Sequence, residues 1–174
     1  MKTTSMPIAS FLLLLLFSAP SSAQGDKTLR PSPPAEISAW IDSAKVTINY
    51  SSPAVKKRDI WGGLVPYNQV WRTGANEATT FETTRDVMIN GQKLKAGKYG
   101  LFTIPGEKSW TVIFNSVWDQ WGAFKYDASK DVLRTNAPAD HSPKFHERML
   151  FDIIGHDVIL SWENLSVKFD ANGA

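Results

Sequence analysis

The sequence predicts an all-β protein: an antiparallel β-sandwich of about eight to ten strands with short helical turns, a closed β-barrel being the alternative. Three observations carry this. Apolar and polar residues alternate in short runs, as in Val46, Ile48 and Tyr50 against Thr47 and Asn49, the pattern of a strand with one face on a core. Turn-forming residues recur roughly every eight to twelve residues. No window keeps apolar residues at helical spacing over the ten or so residues that a helix needs.

Taken in order, residues 1–23 read as a cleavable secretory signal. Lys2 precedes an apolar run from Phe11 to Phe17, and Ser21-Ser22-Ala23 stands before Gln24, small residues where a signal peptidase cuts. That run is shorter than the about 20 residues a spanning helix needs, so the expectation is export without membrane insertion. No cysteine near the cut offers a lipid attachment point. Residues 24–34 contain Pro31, Pro33 and Pro34 and read as an extended linker. Residues 35–174 then form a single β-rich domain.

Within it, the strand around Val46 to Tyr50 ends at Ser52-Pro53, and Lys56-Lys57-Arg58 reads as a solvated turn. Asn90-Gly91 between Val87-Met88-Ile89 and Gln92-Lys93-Leu94 predicts a tight hairpin with positive φ angles. Ala96-Gly97 leads into a strand over 98–104, and Pro105-Gly106 reverses the chain into a strand over 109–115. Residues 131–136, 148–154 and 158–163 read as separate strands, with Gly155-His156-Asp157 as a turn and a closing strand over 166–169. Short helical turns are expected within 59–64, 66–71 and 116–124.

Composition excludes several function classes. With no cysteine, thiol chemistry and disulfides are both out. Without the signal, 18 basic residues face 17 acidic ones over 151 residues, which does not suggest nucleic acid, since phosphate binding relies on clustered Lys and Arg. Neither a phosphate loop, a dinucleotide fingerprint nor a nucleophile elbow is present. His141, His146 and Asp140 lack metal-ligand spacing and His156 stands apart, so no metal and no cofactor is expected.

One stretch is too specific for generic strand and turn: Val65-Pro66-Tyr67-Asn68-Gln69-Val70-Trp71-Arg72-Thr73-Gly74-Ala75-Asn76-Glu77-Ala78-Thr79. It resembles the uncharacterised bacterial family known as domain of unknown function 2911. The likeness extends through Tyr50-Ser51-Ser52-Pro53, residues 94–105, Trp121-Gly122-Ala123 and Asp131-Val132-Leu133-Arg134. It implies an exported single β-rich domain and brings no catalytic residues. Ser52 and Lys57 depart from the Arg and Gly associated with the family, which speaks against an anion-binding turn around Pro53.

Trp71, Arg72, Asn76 and Glu77 are the sharpest candidate site, a guanidinium, an amide and a carboxylate within one loop. The plainer alternative is that Arg72 and Glu77 pair with each other or with carbonyls to hold that loop down. Among the seven tryptophans, Trp118 and Trp121 are candidates for a flat ligand platform, whereas Trp40, Trp110 and Trp162 lie in strand patterns that burial explains. The expected function is a non-catalytic binding or interaction module for a small polar or sugar-like ligand, or for a protein partner. The alternative is a hydrolase in which Glu77 is acid or base and Arg72 steadies negative charge, with Asp119, Asp131 or Asp152 as further carboxylates.

Overall fold

Strand alternation and turn residues together decide where the chain reverses. The computed structural model describes residues 26–174; the expected signal at 1–23 lies outside them. Nine strands follow one another: β1 (Pro34–Ile41), β2 (Ala44–Ser51), β3 (Thr80–Thr83), β4 (Val87–Ile89), β5 (Gln92–Leu94), β6 (Gly97–Ile104), β7 (Ser109–Asn115), β8 (Asp131–Ile154) and β9 (Asp157–Gly173). They form one antiparallel sheet in the order β1-β2-β3-β6-β7-β8-β9-β4-β5. Asn90 and Gly91, at φ 44° and 78°, make the tight turn between β4 and β5 that the dipeptide predicts.

The sheet does not close into a barrel; β1 and β5 end it. It bends over on itself as two layers. The bend lies in β8, whose pairing with β9 shifts register between His141 and His146 and again between His146 and Leu150, an irregularity that turns a strand out of its plane. Before the bend β8 pairs with β7; beyond it β8 pairs with β9 and bridges to Ala54 through Arg148. Apolar side chains then meet across the layers. Tyr50 of β2 packs edge-on to Phe151 of β8 at 5.1 Å, and Phe114 of β7 packs on Phe169 of β9 at 5.9 Å.

Two expectations are corrected here. Residues 131–136 and 148–154 are one strand, because Pro138 still pairs with Ser109 of β7 and Pro143 sits exposed at the bend rather than ending the strand. The short 3-10 turns lie at Lys27–Leu29 and Ala128–Lys130; residues 59–64, 66–71 and 116–124 contain irregular turns instead, Trp61 bridging to Val65 in the first of them.

The core centres on four indoles. Trp61 lies edge-on to Trp110, Trp162 and Trp71 at 5.0, 5.7 and 6.2 Å, while Trp71 and Trp162 stack at 6.1 Å. Trp40, expected to be buried, is 68% exposed, since β1 is an edge strand and turns that residue outward.

Lys56 and Lys57 sit at φ 49° and 57°, where an L side chain crowds its own backbone at a cost of roughly 1–2 kcal/mol per residue. Lys57→Gly is therefore expected to raise unfolding free energy in urea by up to about 1 kcal/mol once the flexibility of glycine is set against the relieved strain. A clear loss would show that the Lys57 side chain makes a contact that outweighs the strain.

Candidate functional site

The loop from Trp71 to Thr79 leads from the irregular segment after β2 into β3, and its ends are tied first. Trp71 exchanges backbone hydrogen bonds with Thr103 of β6 at 2.7 and 2.9 Å, and its indole Nε1 donates to the Gly74 carbonyl at 3.1 Å. Thr79 Oγ1 donates to the Thr73 carbonyl at 2.7 Å. Between these ties Thr73 is held at φ 55°, buried, with its Oγ1 3.1 Å from that of Thr103. A β-branched residue in this region is strained by the order of 1–3 kcal/mol and persists only where its surroundings over-determine it. The consequence is a loop of fixed shape.

That shape separates Arg72 from Glu77. Arg72 faces a cavity of about 290 Å³ walled by Trp71, Trp162, Asn76 and Arg58, with Ser32 at its side. Its guanidinium is half-buried, and burial alone lowers its pKa. Nε is buried without a hydrogen-bond partner, and among the described residues no carboxylate pairs with it. Glu77 lines other cavities, together with Asp119, Gln120 and one or other of Trp118 and Trp121.

Glu77 is instead the anchor of the chain's N-terminal lead. Arg30 Nη1 donates to both of its oxygens at 3.1 and 2.9 Å, and Lys27 Nζ lies 3.0 Å away. Asn76 Nδ2 donates to the Ser32 carbonyl at 3.0 Å, and Ser52 N to that of Pro33 at 2.9 Å. Residues 26–33 thus form a strap laid across the loop rather than a loose connection. Burial raises the pKa of Glu77, but its own backbone N–H and the hydrogen bonds from Lys27 and Arg30 outweigh that, leaving it below its ordinary value. It is an ionised tether at neutral pH.

Trp118 and Trp121 are each met by a cation. Arg30 sits over Trp121 at 5.8 Å and Lys98 over Trp118 at 4.4 Å. Trp121 is joined to the loop by backbone: Gly122 N donates to the Asn76 carbonyl and Ala78 N to that of Gln120, each at 3.0 Å. Of the other carboxylates, Asp131 is fully engaged. It accepts from Tyr126, Arg134 and Asn115 at 2.6–2.7 Å, and burial followed by that carboxylate pushes Tyr126 up to about 12. His141 and His146 lie on β8, and His156 turns toward Asp42 at 3.3 Å. None of the three lines the Arg72 cavity.

A model of the family described as "Protein of unknown function (DUF2911)" matches residues 32–171. The chain belongs to the DUF2911 family. No curated protein and no solved structure matches it, so the site of this DUF2911 member is read from its own geometry.

Sequence reasoning placed Trp71, Arg72 and Asn76 together, and the fold keeps them so. It missed Arg58 and Trp162, which arrive from a turn distant in sequence and from β9, and it missed Lys27 and Arg30 as partners of Glu77. Arg58 carried a readable signal only as part of a basic run. Lys56, Lys57 and Arg58 are all exposed, as the solvated turn predicts, but Arg58 also folds back, donating from Nε to the Val55 carbonyl at 3.1 Å and from Nη2 to that of Ala54.

Proposed function

We infer that this DUF2911 member is an exported, non-catalytic binding module that holds a small polar ligand in the cavity walled by Trp71, Arg72 and Asn76. One observation carries the reading: a half-buried guanidinium without an acidic partner faces that cavity, with no histidine and no carboxylate on its walls. Small-ligand sites are concave and fix orientation through a few polar groups, and an arginine and an amide beside two indoles supply such groups here. The hydrolase alternative draws little support, because Glu77 stands apart from Arg72 and is tied to the strap in its ionised form, whereas a general acid needs a raised pKa. Export follows from the signal-like residues 1–23; among the described residues no helix is long and apolar enough to cross a membrane.

A second reading has its own observation. Trp121 is 55% exposed and stands beside exposed Phe124 with Asp119 and Gln120, an aromatic and polar face of the kind that meets a sugar ring or a protein partner.

Thermal unfolding against sugars, amino acids and cell-wall fragments tests the first reading. A compound of that panel is expected to raise the midpoint of the wild type by several degrees and leave Arg72→Ala unmoved, while Arg72→Ala alone melts within a few degrees of the wild type because it breaks no described hydrogen bond. If a stabilising compound acts equally on both, the ligand lies elsewhere. A Trp121→Ala variant that alone loses the effect would favour the second reading.

A further inference from the structure

We propose that the cavity between Arg58 and Arg72 is an oxyanion site that binds the carboxylate or phosphate group of a small molecule. The inference rests on the binding-module reading and adds the ligand's chemistry.

The charge on the walls is one-sided. Arg58 and Arg72 both line the cavity and no acidic side chain does, whereas the neighbouring cavities hold Glu77 and Asp119. A cation removed from water without a counter-charge is costly, and proteins ordinarily place a carboxylate beside it. The nearest carboxylate in the loop, Glu77, is committed to Lys27 and Arg30, so the chain does not supply one to Arg72.

The hydrogen-bond inventory points the same way. Arg58 spends Nε and Nη2 on the Val55 and Ala54 carbonyls, which fixes the plane of its guanidinium and leaves Nη1 without a described partner. Arg72 Nε is buried and unpaired, as is the indole Nε1 of Trp162, a nearly fully buried wall of the same cavity. These are all donors. A group able to satisfy several donors while cancelling positive charge is an oxyanion, for which a planar guanidinium offers paired N–H bonds. At about 290 Å³ the cavity lies at the small end of the roughly 300–1,000 Å³ of small-ligand sites. The departures at Ser52 and Lys57 do not count against this, because the cation at this turn is Arg58 itself.

The test is calorimetric titration of the full protein with inorganic phosphate, with glutarate, and with uncharged glucose, using wild type, Arg58→Gln and Arg72→Gln. Binding of phosphate or glutarate, weakened at least tenfold in each variant while glucose binds to none, is the expected result, and the stronger of the two anions tells phosphate from carboxylate. Glucose binding that depends on Arg72, with neither anion bound, would leave the binding module standing and overturn the oxyanion site. Silence from all three would overturn the site as well. Should a variant fail to fold, phenylglyoxal labelling of wild type decides: the bound anion is expected to protect Arg58 and Arg72 but not exposed Arg148, and equal labelling with and without it refutes the proposal.

Discussion

Trp110→Ala is expected to cost about 3–5 kcal/mol of unfolding free energy, the range for deleting a large buried ring and leaving a cavity behind it. Trp110 is 0% exposed and packs edge-on against Trp61 and Trp71 at 5.0 and 6.0 Å, so no neighbour can collapse into the space without disturbing another indole. For a chain of this size the loss corresponds to a fall of roughly 10 °C in melting midpoint. Trp118→Ala removes an equally large side chain from the surface, where it is 40% exposed and Lys98 sits over its ring at 4.4 Å. It should change stability by no more than about 0.5–1 kcal/mol. Urea unfolding of the two variants checks this, and comparable losses would mean that the core does not centre on the four indoles.

Glu77→Lys is expected to release the strap. The substitution replaces the acceptor of Lys27 and Arg30 with a third cation, turning attraction into repulsion. These pairs are partly exposed, with the Glu77 side chain at 40%, so their joint contribution is discounted to about 1–2 kcal/mol. Every 1.4 kcal/mol multiplies the open population about tenfold, and tryptic cleavage after Lys27 under native conditions should speed up by that order, while cleavage after Lys108 in the turn between β6 and β7 stays unchanged. Acid is expected to act in the same direction on the wild type. Because the pKa of Glu77 is lowered in the folded protein from 4.5, its stabilisation is complete above that value and disappears as pH falls through the folded pKa. Cleavage after Lys27 that ignores the substitution, together with hydrogen exchange of residues 26–33 that ignores the pH, would show that the strap is held by its backbone bonds alone.

Much of the sheet was legible because its signals are local. Asn90-Gly91 located a hairpin to the residue, and alternation at Trp110, Val112 and Phe114 marked β7 at its full length. What escaped depends on distance. Nothing within residues 131–154 announces that a proline-bearing polar run continues one strand through a bend; that follows from where β9 waits to pair with it. Trp40 alternates as a buried residue does, yet edge position exposes it. In the loop, the cluster Trp71 to Glu77 was visible as chemistry, but its division into an arginine facing a cavity and a glutamate holding the lead is decided by Thr73, whose left-handed backbone no spacing rule foretells. Arg58 and Trp162 are brought to the cavity by tertiary packing alone.

The place of β8 and β9 also bears on the order in which the chain can be completed. The two strands that hold both layers together are the last to be made, β8 closing the first layer against β7 and β9 standing between it and β4. Until residues beyond Asp131 are available, Phe114 lacks Phe169 and β4 lacks its pairing with β9, and β7 presents an unpaired edge of the kind that invites aggregation. Synthesis up to β7 therefore leaves neither layer finished. Truncation anywhere between β7 and the end of β9 should give an insoluble product rather than a smaller folded unit.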